Sequence, residues 1–334
     1  MKTSPMTAVP RTRSRPSGGL LSIVIPCHDE EAVIEATHRR LAAALAGCGM
    51  DLEMIFIDDG SRDATLAVLE RIAAADPRVV VIEFSRNFGQ QAAMSAGLAR
   101  ACGDAVVMID ADLQDPPEVI PEMVHRWRTG VDVAYGRRRS REGETRFKLV
   151  TASLFHRLFA ALVPHEIPVD TGDFKLLDRA VVDAVCSLPE KRRYLRGLVA
   201  WAGFRHEPVW YDRQARAAGT TKYSIRRLLK LAGDAVVICS DAPLKAVWGV
   251  SAMLAGLGLV ATVAAIVSGS LLAGVTAVVT LTAAVQMAAV AVVGEYAARA
   301  YREAQGRPTA VTRRVFTQAD LPALPADHTQ SRAA

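Results

Sequence analysis

The sequence predicts an α/β fold, a mostly parallel sheet flanked by helices, followed by amphipathic interfacial helices and a two-helix transmembrane hairpin. Two observations carry that expectation. Apolar runs at residues 20–26, 52–57, 79–84, 105–109 and 131–135 alternate with helical patterns, which is the signature of parallel strands joined by right-handed crossovers. Farther on, residues 246–266 and 271–293 carry no charge at all, and each is long enough to cross a hydrocarbon core of roughly 30 Å.

The first strand, β-branched and buried in character, runs into Cys27-His28-Asp29-Glu30-Glu31. A helical pattern over residues 32–45 follows. The second strand ends in Asp58-Asp59-Gly60-Ser61, where Ser61 or Asp63 can cap a helix over 64–75. The third leads into Ser85-Arg86-Asn87-Phe88-Gly89-Gln90 and a helix to Ala101. The fourth ends in Asp110-Ala111-Asp112-Leu113-Gln114-Asp115. No Gly-x-Gly-x-x-Gly turn and no Walker lysine loop occurs. A ligand of this sheet is therefore gripped by carboxylates and a cation rather than by a glycine cradle.

In open α/β sheets ligands bind beyond the carboxyl ends of the strands. Three acidic strand ends (Asp29/Glu30, Asp58/Asp59, Asp110/Asp112) converge there if the first, second and fourth strands are neighbours. Carboxylates so close together cost folding energy unless a cation neutralises them. A divalent metal carrying a nucleoside diphosphate is the natural partner. The plainer alternative makes Asp115 the N-cap of a helix opened by Pro116 and Pro117.

Beyond the fifth strand lies a basic run over 136–144, then an aromatic-rich helix over 146–162, suited to core packing or to an interface. Residues 170–174 read as a compact acidic turn and 179–188 as a helix. The stretch 211–223 carries Arg213, Arg216 and Lys222 around Gly219-Thr220-Thr221, like a loop that orders over an anion. Residues 224–241 form a basic amphipathic helix expected to lie in the headgroup plane. Lys245 precedes the first span, and Arg299, Arg302, Arg307, Arg313 and Arg314 follow the second, which places both ends in the cytoplasm.

The expected organisation is a disordered leader (1–19), a catalytic domain (20–223), a juxtamembrane helix (224–241), two spans (246–293) and a cytoplasmic tail (294–334), polar and disordered after Arg314. The net charge of +5 would suit nucleic acid or an anionic membrane, and the apolar spans select the membrane. Five scattered cysteines have neither disulfide nor metal spacing and read as reduced thiols.

The motifs at residues 25–31, 58–65, 85–89, 110–118, 170–174, 216–223 and 294–296 together resemble the family 2 glycosyltransferases of GT-A fold. Within them the chain is most similar to the polyprenyl-phosphate glycosyltransferases, relatives of dolichol-phosphate mannose synthase and the bactoprenol glucosyltransferases. That resemblance implies an inverting transfer from a nucleotide-sugar, UDP-hexose favoured, to a polyprenyl phosphate at the cytoplasmic membrane face. It implies that Pro26, Asp29, Glu30, Asp58, Asp110 and Asn87 hold the nucleotide. Asp112 and Gln114, with Asp110, would hold Mg²⁺ or Mn²⁺. Arg138, Arg213, Arg216 and Lys222 would face the acceptor phosphate and the departing diphosphate, and Asp173 or Asp170 would orient the acceptor or the metal. A phosphate monoester, with its second pKa at about 6, is largely ionised at neutral pH and needs little help from a base. The implied partners are the donor, the lipid acceptor, membrane lipids and further copies of the chain, with a tetramer common in the family and nucleic acid not among them.

The chain departs from the family at His28-Asp29, where Tyr-Asn is usual, and at Gln90, where Lys is frequent. The first departure bears on base contacts, and the second removes a cation near the donor. Two rivals share the fold. A processive polysaccharide synthase would carry Gln-x-x-Arg-Trp and more spans, and Arg192-Arg193-Tyr194 is only a distant echo of that motif. An inactive membrane scaffold would carry decayed acidic motifs, whereas here they are intact.

Overall fold

The computed structural model describes residues 15, 18–139, 171–191, 193–212, scattered helical positions between 247 and 267, and 271–321. Eight strands form one sheet: β1 (Leu20–Cys27), β2 (Asp51–Asp58), β3 (Val79–Phe84), β4 (Ala105–Met108), β5 (Val133–Arg138), β6 (Thr171–Asp178), β7 (His206–Tyr211) and β8 (Thr312–Phe316). Their spatial order is β7-β5-β6-β4-β1-β2-β3-β8. The strands β4, β1, β2 and β3 are mutually parallel, as the alternating pattern predicts. Two strands run against the rest, β6 between β4 and β5, and β8 along the edge at β3.

Both faces of the sheet are covered, which is why its strands read as continuous apolar runs rather than alternating ones. On one side α1 (Ile34–Leu45), α2 (Thr65–Ala75) and α4 (Ile120–Arg128) pack over Ile23, Ile25, Phe56 and Val107. On the other, α3 (Gln90–Arg100), α5 (Arg179–Ser187) and α6 (Leu195–Trp201) pack over Val24, Ile57 and Val106. Helix α3 lies so close to β1 that a Cβ on Gly97 would sit 2.3 Å from Val24 Cγ1.

Several expectations are corrected. Residues 170–174 are not a turn, because from Thr171 the chain is strand β6. Phe174 and Leu176 face one core layer and Leu177 the other, and the charges of Asp173 and Lys175 together give the segment the composition of a turn. The fifth strand begins at Val133 and continues through Arg138, so the basic run starts inside the sheet. Asp115 caps no helix. Pro117–Val119 is a short 3₁₀ turn before α4, with Pro116 at its cap and no side-chain cap bond, and the Asp115 carboxylate turns into the sheet edge instead.

The C-terminal region is corrected too. Arg313 and Arg314 do not lie in a polar tail; they belong to β8, which hydrogen-bonds to β3. At the other end Arg15 of the leader is anchored. It pairs with Asp132 and Asp178, bonds the carbonyls of Trp127 and Val131, and lies 5.3 Å over the Trp127 ring. A short charged segment looks disordered in composition, but a buried carboxylate pair can hold one guanidinium of it.

Helix α7 (Leu271–Ala304) contains the second expected span, and its stretch Gly274–Ala304 is long and apolar enough to cross a bilayer. Part of residues 246–266 lies outside the described residues, as do 140–170 and 213–246, which include Asp170, Arg213, Arg216, Lys222 and both expected interfacial helices. Past the second span Glu295 pairs with Arg299 at 2.8 Å. Glu303 accepts from the Lys191 amide at 3.0 Å, joining the end of α7 to the α5–α6 loop.

Candidate active site

Strands β4, β1 and β2 are neighbours and point the same way, so the three acidic strand ends emerge along one edge. The buried Cys27 thiol lies among them. Burial pushes its pKa up, and the charges of Asp58, Glu30 and Asp110 push it further.

At the β1–β2 end the carboxylates organise loops as well as facing outward. Asp29 adopts φ +55°, a left-handed conformation that Asp tolerates better than most residues. Its amide donates to Ser61 Oγ at 3.0 Å, and its Oδ1 accepts from the Arg62 amide at 2.8 Å. The Glu30 amide donates to Thr65 Oγ1 at 2.8 Å. Asp58, 2% exposed, accepts from the Ser61 amide (3.3 and 3.4 Å) and from the Ser61 hydroxyl, and burial raises its pKa. Asp59 accepts from the amides of Phe88 and Gly89 at 2.6 and 2.8 Å and so fixes the Ser85–Gly89 loop. The same loop crosses Gly60, where an added Cβ would come within 2.5 Å of the Arg86 carbonyl carbon and 2.7 Å of the Asn87 nitrogen. Pro26 sits beside Ile57 at the strand ends, and Asn87 is exposed on the loop. His28 Nδ1 is buried with no hydrogen-bond partner. Such an atom costs folding energy until a ligand or water meets it.

The β4–β6 end holds the second half. Met108 faces Lys175 across the antiparallel pair, so the register carries Asp110 toward Asp173 two residues on. Four carboxylates gather: Asp110, Asp112, Asp115 and Asp173. Burial, then the charges of Asp173, Asp115 and Asp112, push the Asp110 carboxyl up to about 7. Its Oδ1 accepts from the Gln90 side-chain amide at 2.6 Å, the place where a lysine is frequent in the family. Asp112 Oδ1 accepts from the Gln114 amide at 3.1 Å, on a loop that Leu113 turns through φ +58°.

Two of the four carboxylates hold arginines. Asp173 receives Arg196 at two points, Nε at 2.7 Å and Nη2 at 2.9 Å. Although burial works against it, the Arg196 contact keeps the Asp173 carboxyl below its ordinary range. Asp115 accepts a hydrogen bond from the Tyr211 hydroxyl and stands 3.9 Å from Arg138 Nη2. Arg138 Nε in turn reaches the Tyr211 oxygen at 3.4 Å. Behind Asp173 the fully buried Lys175 ammonium is pushed down to about 8, chiefly by burial.

The site therefore unites Pro26, Asp29, Glu30, Asp58 and Asn87 at one end with Asp110, Asp112, Gln114, Asp173 and Arg138 at the other. Sequence reading missed Arg196, Tyr211 and Lys175. Arg196 stands four residues beyond the Arg192 of the basic-aromatic echo, so charge near that motif was a usable signal. Nothing local marks Tyr211, because its partner is 96 residues away.

Among the described residues no three His, Cys, Asp or Glu side chains close on a common point as a metal cage would require. The donor set nevertheless suits a hard cation that shares its shell with phosphate and water, since Mg²⁺ is usually held by one or two carboxylates plus phosphates. The raised Asp110 carboxyl reflects burial first and the charges of Asp173, Asp115 and Asp112 second. Asp110 and Asp112, with Gln114, are the residues that fit.

With acidic strand ends along the carboxyl edge of a mainly parallel sheet, the protein resembles α/β proteins whose ligands bind beyond that edge. Comparison with known proteins narrows the class. The family model "Glycosyl transferase family 2" matches residues 22–186. An uncharacterized glycosyltransferase of Bacillus subtilis, YkcC, is 40% identical over 88% of this chain and 94% of its own. A prophage bactoprenol glucosyl transferase homolog of Escherichia coli is 33% identical over 88% of this chain and 99% of its own. The solved glucosyl-3-phosphoglycerate synthase of Mycobacterium tuberculosis, in complex with Mn²⁺, UDP and phosphoglyceric acid, is 25% identical with a TM-score of 0.50. It covers 65% of this chain and 76% of that one. The chain belongs to glycosyltransferase family 2.

Proposed function

We propose that this protein transfers a hexosyl group from a UDP-sugar to a polyprenyl phosphate, with inversion, at the cytoplasmic face of a membrane. The observation that carries the reading is the paired acidic end: Asp110 and Asp112 at the tip of β4, beside the β1–β2 end with its orphaned His28 nitrogen and buried Asp58. One end suits a diphosphate with its cation, the other a nucleoside offering N–H and O–H donors. Relatives named for bactoprenol glucosyl transfer, and a structural neighbour solved with Mn²⁺ and UDP, support the same assignment.

In this scheme Pro26, Asp29, Glu30, Asp58 and Asn87 hold the nucleoside, while Asp112, Gln114 and Asp110 would hold Mg²⁺ or Mn²⁺. When bound, the cation supplies positive charge against the diphosphate. An acceptor phosphate oxygen forms the new bond to the anomeric carbon as the bond to the nucleoside diphosphate breaks, and the electron pair leaves with the diphosphate. No proton has to be removed, because the acceptor oxygen is already ionised. Position and electrostatics are the protein's contribution. Arg138 faces the phosphates, a role the family resemblance also implies for Arg213, Arg216 and Lys222.

Membrane attachment through two spans is part of the reading. A Cβ at Gly258 would lie 3.8 Å from Val278 of α7, which supports packing of the first expected span on the second. Assembly into a homo-oligomer, a tetramer in the simplest case, is included.

The test is a donor panel. Purified full-length protein, undecaprenyl phosphate and Mn²⁺ are incubated with UDP- and GDP-sugars, and the lipid product is weighed by mass spectrometry. A single hexose on the lipid phosphate is expected. A polymer would favour a processive synthase, and no turnover with any donor would favour an inactive scaffold.

A further inference from the structure

Beside the four gathered carboxylates one guanidinium stands on a rigid mount. Arg196, the second residue of α6, is clamped by Asp173 along its Nε–Nη2 edge. Asp173 is 6% exposed, whereas the Arg196 side chain is 36% exposed. The carboxylate is thus the buried anchor and the guanidinium the part that looks out. The mount is braced a second time. Gln91 Oε1, at the start of α3, accepts from the Leu195 amide at 2.9 Å, and the Gln91 side chain also bonds Asp173. One amide side chain therefore sets both the start of α6 and the carboxylate that holds its arginine. A guanidinium held by its Nε edge directs Nη1 the opposite way, and Arg196 is near enough to feel the charge of Asp110.

We propose that Arg196 is a catalytic residue that binds the departing diphosphate, and that Asp173 is a positioning residue which aims it. The proposal rests on the glycosyltransfer reading above. As the acceptor oxygen bonds to the anomeric carbon, the bond from that carbon to the β-phosphate oxygen breaks. Its electron pair stays on the diphosphate, where charge grows, and a planar arginine already fixed in place meets that charge without reorganising. Asp173 takes no proton in this step. Both of its oxygens are engaged by the guanidinium, and a carboxylate held below its ordinary pKa is a poor base. A phosphoryl group could reach Arg196 from the donor or from the lipid acceptor. Arg196 is close enough to feel the charges of both Asp110 and Arg138. Asp110 belongs to the cation and diphosphate end of the reading above, and UDP affinity read apart from the acceptor KM separates the two sources.

The experiment compares Arg196→Ala, Arg196→Lys, Asp173→Asn and the pair Asp173→Asn/Arg196→Met in the full-length protein. UDP affinity with Mn²⁺ is read by calorimetry, and turnover with undecaprenyl phosphate across pH. Arg196→Ala should weaken UDP about 10-fold or more and lower kcat by about 10²–10³-fold, as losing one preorganised donor does elsewhere. Arg196→Lys should not restore it. Asp173→Asn should lower kcat by less than Arg196→Ala and leave the shape of the pH profile unchanged. The double variant removes the buried ion pair cleanly and should match Arg196→Ala.

A merely structural role would lower the folded fraction but leave UDP affinity per folded molecule intact, and that outcome overturns the proposal. So does a rise in the acceptor KM with unchanged UDP affinity, which would give Arg196 to the lipid phosphate. An Asp173→Asn enzyme silenced at neutral pH and rescued at high pH would make Asp173 a base. If wild-type protein makes no lipid-linked sugar, the glycosyltransfer reading fails, while the UDP titrations still report on Arg196.

Discussion

The Tyr211 hydroxyl donates to the Asp115 carboxylate, fastening the loop beyond β4 to the last residue of the far edge strand β7. The Tyr211 ring stands edge-on to Phe174 at 5.8 Å, and a Cβ on Gly136 would lie 2.8 Å from the rings of both. Tyr211→Phe keeps this packing and removes one donor to a buried carboxylate. We expect a loss of about 1–3 kcal/mol, read by thermal unfolding of the detergent-solubilised protein. Because Arg138 loses a partner, the variant should show a raised KM for the lipid acceptor of the proposed reaction. Unchanged stability would show that Arg138 alone satisfies Asp115.

Gly60 has φ +64°, and its missing Cβ is the space that the Arg86–Asn87 backbone occupies. Gly60→Ala meets backbone rather than a yielding side chain, in a conformation that L residues avoid. The Ser85–Gly89 loop has to move away from Asp59. UDP affinity should fall at least tenfold, with a loss of more than about 1 kcal/mol in stability. Gly89, with φ +100° but open space around it, is the control: Gly89→Ala carries the backbone strain without the collision.

Metal removal tests the acidic end. Chelation should abolish turnover and Mn²⁺ or Mg²⁺ should restore it. Asp112→Asn should need much more metal for half-maximal activity, and a metal titration of each variant measures this. Asp112→Asn with wild-type metal demand would move the cation elsewhere.

The parallel half of the sheet was legible because a strand buried on both faces is apolar throughout, and α-helical spacing between such runs leaves one topology. The site's acidic ends were legible for the same reason, since a carboxylate at a strand tip contrasts sharply with the run before it. Strand β6 was not. Asp173 and Lys175 lie within it, and the Asp173 charge is tolerated inside the sheet because Arg196 pairs with it, while Lys175 feels the opposite charge of Asp173 itself. Arg196 comes from a helix beyond the strand, so nothing local announces the pair. Strand β8 was hidden differently: arginines after an apolar helix are the usual mark of a membrane boundary, and only buried Glu83 reveals the other use of them.

Asp76 gives a pH signature away from the site. Its carboxylate accepts from Arg78 Nε and Nη2 at 2.8 and 2.7 Å and lies 2.9 Å from His38 Nε2. The Arg78 contacts hold its pKa well below the ordinary carboxylate range. A carboxyl depressed in the folded state contributes stability above its unfolded pKa of about 3.9, and that contribution fades as pH falls toward the folded value. Wild-type protein should therefore lose stability below about pH 4, and Asp76→Asn should show a shallower acid slope from a lower starting point. Unfolding temperatures measured from pH 7 to 2.5 decide it. Parallel curves would place the acid-sensitive group elsewhere.

Glu83 ties the far end of the chain to the catalytic sheet. It is 5% exposed on β3, and both Arg313 and Arg314 reach it from β8, Arg313 at 3.2 Å; Arg314 also reaches Glu70 and stacks over Phe316 at 4.7 Å. Removing one arginine leaves Glu83 a second, so Arg313→Ala should cost little, about 1 kcal/mol or less. Arg314→Ala loses the better-placed partner and its cover of Phe316, and should cost more. The double replacement strands a buried carboxylate, and breaking such a pair from one side costs up to about 3–5 kcal/mol. Here the value should fall short of that range, because both arginines are partly exposed. Adding Glu83→Gln to the double variant removes the uncompensated charge and should recover a large part of the loss. Hydrogen exchange of the β3 and β8 amides gives a second readout, since release of β8 should expose the β3 edge without touching β1 or β4. If the double variant keeps wild-type protection on β3, the strand is held by its backbone bonds and Phe316 alone, and Glu83 is buried for some other reason.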